Sequence, residues 1–218
     1  MIKLNLNTSP TATDLLSLAD VKTFLRVTNT SEDTLITSLI GAAIDVAQNY
    51  TNSRFLETEY TLYMETWTDI YVSNSYQQAL NNGVYITNGG YVGKDGLNQI
   101  VLPYAPLASI THVKYYDNTG TQQTMTAATD YSVHNFINQK GFIEIMDGIS
   151  LPTLDDRADA VEIKFKAGYG TSADDVPDAI KSAIQLIIGF MYEKREDTVS
   201  RLPKASEYLL DPYRFKTY

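Results

Sequence analysis

Val176-Pro177-Asp178-Ala179-Ile180-Lys181-Ser182-Ala183-Ile184-Gln185-Leu186-Ile187-Ile188-Gly189-Phe190-Met191 is the stretch on which the fold turns. Val176, Ala179, Ile180, Ala183, Ile184, Ile187, Ile188 and Met191 recur at three- and four-residue steps, the spacing of one helical face. Asp174 or Asp175 is placed to cap this helix, Pro177 to sit near its first position and Asp178 to favour the dipole. The pattern predicts a long helix over 176–196, ending in the charged run Glu193-Lys194-Arg195-Glu196-Asp197. Leu186 and Phe190 widen the apolar stripe beyond the roughly 100° that one core face needs. Such a helix is either enclosed in its own domain or shared with a neighbouring subunit. Ile184, Ile187, Ile188, Phe190 and Met191 would carry either role.

The other end of the chain is also helical. The first ten or so residues carry a Thr-Ser-Pro-Thr cluster and read as an arm; Ser17 then opens a helix, with Asp20 as capping partner and Val21, Phe24 and Leu25 on its apolar face. Thr30 or Ser31 caps a second helix whose stripe is Leu35, Ile36, Leu39, Ile40, Ala43, Ile44 and Ala47, closed by Tyr50-Thr51-Asn52. From Phe55 the period changes to two. Tyr60, Leu62 and Met64 alternate with Thr61, Tyr63 and Glu65, a half-buried strand. Further strands are predicted at 84–87, 99–102, 110–116, 131–133, 142–146 and 161–166, with a turn at Asp117-Asn118-Thr119-Gly120. The stretch 68–98 is turn-dense and reads as a long excursion, and Gly168-Tyr169-Gly170 ends the last strand.

Neither terminal helical segment is large enough to bury its own face, so the two should pack together. The expected fold class is therefore α+β: a small bundle of N- and C-terminal helices with a large inserted antiparallel β subdomain. The parts are 1–54, the N-terminal helical part; 55–170, the inserted β-rich subdomain; and 171–218, the long helix and tail.

Composition narrows the function. The chain has 218 residues, 44% of them hydrophobic, with no Cys, which excludes disulfides, zinc–thiolate sites and thiol catalysis. No apolar run reaches 18 residues, so no membrane span is expected. Met1-Ile2-Lys3-Leu4-Asn5-Leu6-Asn7 has no apolar core of a secretory signal, and synthesis in a cytoplasm is expected. Seventeen basic against twenty-six acidic residues give a formal charge of −9, and the basic residues are scattered singly. That surface suits sliding past DNA better than gripping it.

No reaction centre is expected, and no cofactor. His112 and His134 each sit on a strand without partners at metal or acid–base spacing. Gly89–Gly96 fails the phosphate-loop pattern, with Asn88 where the first Gly belongs and Asp95 where Ser or Thr belongs. The dinucleotide fingerprint fails at Ala173. Asp155, Asp156 and Asp159 read as a solvated loop, and Asp174, Asp175 and Asp178 as helix capping, rather than metal sites. Ten of sixteen tyrosines lie between 55 and 135, which suits strand packing or protein contact and leaves open a β module that stacks on host-surface glycans. Tyr208, Leu209, Leu210, Pro212, Tyr213, Arg214 and Phe215 make an aromatic and apolar tail. It either packs on its own core or inserts into a partner.

Several motifs in order carry a resemblance. They are Leu16-Ser17-Leu18-Ala19-Asp20-Val21-Lys22-Thr23-Phe24-Leu25-Arg26-Val27, Leu39-Ile40-Gly41-Ala42-Ala43, Leu102-Pro103-Tyr104-Ala105-Pro106-Leu107, Phe165-Lys166-Ala167-Gly168-Tyr169-Gly170, Met191-Tyr192-Glu193-Lys194-Arg195-Glu196 and Leu210-Asp211-Pro212-Tyr213-Arg214. Together they resemble the head–tail connector (adaptor) proteins of tailed double-stranded DNA bacteriophages. The resemblance implies a non-enzymatic virion protein at the head–tail junction, active in genome ejection as part of a dodecameric ring. Such a ring docks on the portal protein through C-terminal residues, here 208–218, and extends the channel through which double-stranded DNA passes without specific binding. It also offers a surface to the stopper or tail-completion protein. Nothing in the stretch 68–98 takes part in the resemblance.

Overall fold

The computed structural model describes residues 2–67, 86–87, 90–91, 99–135, 140–146, 148–194 and 202–215. The chain forms an α+β fold with two compact units, each drawn from separate stretches of sequence. One comprises 1–9, 58–167 and 216–218; the other comprises 10–57 and 168–215.

The first unit is built of strands. Ile2–Thr8 (β1), Thr58–Met64 (β2), Leu107–Tyr116 (β6), Gln122–Met125 (β7) and Val161–Ala167 (β10) form an antiparallel sheet in the order β1-β2-β10-β6-β7. Gln99–Val101 (β5), Tyr131–His134 (β8) and Phe142–Ile145 (β9) form a second, in the order β5-β9-β8. Ile86–Thr87 (β3) and Gly90–Tyr91 (β4) pair as a short hairpin, the described part of the 68–98 excursion. Period two places Leu62, Ile163 and Val113 side by side on the inward face of three neighbouring strands. Tyr60 and Phe165 are likewise paired, their rings stacked with centroids 5.7 Å apart. Ile100, Ile143 and Ile145 of the second sheet share this core. Trp67, the only tryptophan, is buried there and donates its indole N–H to the Pro152 carbonyl at 3.0 Å.

The second unit is helical: Ala12–Leu15 (α1), Leu18–Leu25 (α2), Asp33–Thr51 (α3), Asp178–Glu193 (α4) and Lys204–Leu210 (α5), with single 3-10 turns at Ala173–Asp175 and Asp211–Tyr213. Ser17 caps α2 as expected, accepting the Asp20 N–H at 3.1 Å and donating its hydroxyl to the Asp20 carboxylate at 2.6 Å. Val21, Ile36, Ile40, Ala43, Ala47, Ile180, Ala183, Ile184 and Ile188 meet in one core. The outgoing and returning passages of the chain run side by side: Tyr169 donates to the Phe55 carbonyl at 3.1 Å and Glu57 to the Gly170 carbonyl at 2.7 Å.

Several expectations are corrected. Ile2–Thr8 is not an arm belonging with the helices of 1–54. Its alternating Ile2, Leu4 and Leu6 register against Met64, Leu62 and Tyr60 as an edge strand of the β unit. Helix α3 has no side-chain cap from Thr30 or Ser31; Glu32 holds the N-cap position, and Ser31 is instead folded against the Asn29 side chain. Leu35 lies off the buried stripe and is exposed. Helix α4 begins later than its apolar pattern, because Asp174 and Asp175 belong to a separate 3-10 turn capped by Ser172, and Pro177 is the N-cap.

Candidate protein interface

The candidate interface residues fall on α4 and on the tail. Helix α4 buries one face fully: Ile180, Ala183, Ile184, Ile187 and Ile188 have no more than 1% of their surface exposed. The structure thus places Ile184, Ile187 and Ile188 in the core of their own unit. Leu186, Phe190 and Met191 are half-buried, which is where the extra width of the stripe goes. Phe24 of α2 covers α4 at Gly189, where an added Cβ would stand 3.2 Å from the ring. Phe24 itself remains 42% exposed, so the α2–α4 flank presents apolar surface. Tyr192 donates its hydroxyl to the Glu32 carboxylate and ties the far end of α4 to the start of α3.

The tail is held on the same unit. Leu210 and Phe215 are buried, and the Phe215 N–H reaches the Thr51 carbonyl at 2.8 Å. Tyr50 donates its hydroxyl to Asp211 Oδ1 at 2.6 Å, and the Arg214 guanidinium lies 4.7 Å from the centre of the Tyr50 ring. The Asp211 acceptor, and secondarily burial, raise the Tyr50 phenol above its usual range. Burial pushes the Tyr169 phenol up to about 12, with Tyr213 adding to the effect. Both tyrosines therefore stay neutral and serve as packing and hydrogen-bonding groups.

The predicted tail residues consequently divide. Leu210 and Phe215 point into the unit, and Leu209 and Tyr213 are half-buried. Tyr208, 78% exposed, Pro212 and Arg214 face outward. In the sequence Tyr50 reads only as part of the segment that closes the second helix; its partner Asp211 lies 161 positions away and no local pattern links them.

The β unit offers charged pairs. His112 Nε2 stands 2.6 Å from Glu162 Oε1. His134 Nε2 stands 2.7 Å from Glu144 Oε2 and 2.9 Å from Ser132 Oγ. A serine nucleophile relay needs one imidazole nitrogen for the hydroxyl and the other for the acid. Here both neighbours address Nε2, so the three groups do not form such a relay. Arg157 grips Asp159 through two bonds at 2.7 and 2.8 Å and lies 3.7 Å over the Tyr116 ring, which pins the acidic loop. Asp175 and Ser172 close a capping box. Among the described residues no group of three or more His, Asp or Glu is placed to hold a metal ion. The glycine-rich stretch 89–96 lies outside the described residues except for Gly90 and Tyr91.

Residues 16–88 match the family described as Phage gp6-like head-tail connector protein, which bears out the resemblance read from the sequence. No curated protein matches the chain significantly. Among solved structures, a chain from the neck of an empty gene transfer agent particle, computed with C6 symmetry, superimposes with a TM-score of 0.70 at 21% identity, covering 99% of this chain and 97% of that one. A chain from the virion of a native gene transfer agent particle gives 0.71 at 23% identity, over 99% and 96%. One from the native neck, computed with C12 symmetry, gives 0.68 at 22%, over 99% and 97%. At these identities the likeness is one of fold, extending over nearly the whole of each chain.

Proposed function

We propose that this chain, whose residues 16–88 carry the gp6-like connector signature, is a structural subunit of a phage-type head–tail connector ring. The observation that carries the reading is the pairing of that family match with a fold shared end to end with chains of particle necks. In this role the protein docks on a portal ring, lengthens the DNA channel and presents a surface to the stopper or tail-completion protein. Twelve copies and a place at the head–tail junction belong to the same reading. The two neck assemblies computed with C6 and C12 symmetry support a ring. The chemistry agrees: half-buried tyrosines that pack and hydrogen-bond, histidines beside carboxylates and a pinned acidic loop are structural devices.

Portal docking falls to the outward part of the tail, Tyr208, Pro212 and Arg214, while Leu210 and Phe215 anchor it. An aromatic side chain on a firmly held short helix, with an Arg just beyond it, suits an interface centre. The test is co-sedimentation of the full chain with portal rings from the same source, with copies counted by native mass spectrometry. About one copy per portal subunit, reduced by Tyr208→Asp without a change in melting temperature, supports the reading. A wild-type chain that never joins the rings overturns it, and undiminished docking of Tyr208→Asp overturns the tail assignment.

A further inference from the structure

The five-stranded sheet has a second face, turned away from its core, whose composition departs from the rest of the chain. The strand register fixes its membership. Lys3, Tyr63, Glu162, Lys114 and Thr124 form one row across all five strands. Asn5, Thr61, Lys164 and His112 form the next, and Glu59, Lys166 and Ser109 a third. Four lysines stand here against two glutamates, although the whole chain carries a net charge of −9. The rows are preorganised rather than loose: Lys164 is 2.9 Å from Glu59, His112 is 2.6 Å from Glu162, and Asn7 donates to Thr61 at 2.7 Å. The four lysines and both glutamates are at least partly exposed. Both units are net acidic as wholes; the helical one has fourteen acidic against nine basic residues, and its Asp174, Asp175 and Asp178 are all exposed.

We infer that the lysine-bearing face of the five-stranded sheet docks on the acidic helical unit of a second copy of this chain. Two different, complementary surfaces on every copy make a head-to-tail contact, the kind that generates a ring when its rotation closes. Complementary charge fixes the register of neighbours and suppresses wrong pairings, while the ordered polar rows hold the face in one shape. The inference rests on the connector reading and adds to it the neighbour contact.

The test titrates the full-length chain onto portal rings and counts copies per ring by native mass spectrometry. The wild type is compared with Lys3→Glu/Lys114→Glu, whose fold is checked by circular dichroism and by Trp67 fluorescence. The wild type is expected to fill rings cooperatively, so that empty and complete rings dominate. The variant is expected to bind single portal sites as before but to spread statistically over partly filled rings. A wild type that itself spreads statistically, or a variant that fills rings cooperatively, overturns the neighbour contact while leaving portal docking intact. Failure of the wild type to bind portal at all overturns the connector reading and the inference with it. Retention of the wild type, but not the variant, on duplex DNA in place of ring filling would assign the face to nucleic acid and overturn the inference.

Discussion

Gly168 shows how one residue can hold the chain's route between strand and helices. It has a φ of +145°, and an added Cβ would stand 2.5 Å from the Leu56 backbone carbon. Neither the backbone conformation nor the space admits a side chain. Gly168→Ala is expected to cost about 1–3 kcal/mol or more, through strain and separation of the 55–57 and 169–170 segments, and a urea titration measures it. Asp117 works by charge. Its carboxylate accepts from the Thr119 hydroxyl at 2.6 Å, the Gln123 amide at 2.9 Å and the backbone N–H groups of Thr119 and Thr121, shaping the turn between β6 and β7. The Thr119 hydroxyl first, then Gln123, lower its pKa from 3.8 to about 2. A depressed folded-state pKa means the contribution is complete above 3.8 and disappears as pH falls through about 2. The gap in melting temperature between wild type and Asp117→Asn should therefore be constant at neutral pH and close across that acid window. A gap independent of pH down to the lower end would refute the assignment.

At the scale of elements, what was legible in the sequence is what a single period can encode. Helices α2 and α3 and the body of α4 are legible from three- and four-residue spacing, and β2, β6 and β10 from alternation, because each carries its apolar residues at one period. Strand β1 was missed although Ile2, Leu4 and Leu6 alternate, since an edge strand is defined by the partner it finds, and that partner lies more than fifty residues away. The late start of α4 was missed because Val176 continues the apolar stripe while Pro177 holds the N-cap. The orientation of the tail was not legible at all: an apolar terminal segment looks the same whether it fits its own core or a partner's. A tail that served only a partner could be deleted at 206–218 without harm to the fold. The burial of Leu210 and Phe215 against the helical core argues otherwise. The deletion is expected to cost about 2–5 kcal/mol, the range for emptying a large apolar side chain's place in a core. Thermal melting followed at 222 nm tests this, and an unchanged midpoint would mean that the two side chains contribute nothing there. Tyr208→Asp, which changes only exposed surface, is thus the cleaner variant for docking.

At the scale of the whole molecule, charge sets how the proposed connector ring would meet DNA. Each copy carries −9 and has a sequence pI of about 4.6, so the proposed portal-bound ring would present a strongly anionic body to an anionic duplex. Affinity for duplex DNA grows with the number of phosphates neutralised by clustered cations. The lysines that do share a face are interleaved with Glu59 and Glu162 and, in the assembly proposed above, covered by the neighbouring copy. Ring formation would then remove this lysine-bearing face from contact with the duplex and leave the acidic surface to repel it over a Debye length of about 8 Å at physiological salt. The expected outcome is that portal-bound rings neither shift a duplex DNA fragment in a gel nor slow its passage at physiological salt. Lowering the salt tenfold should not create binding, because repulsion strengthens when screening weakens. A shift that appears only at low salt would reveal uncovered cationic surface and would count against a channel that works by passing DNA without holding it.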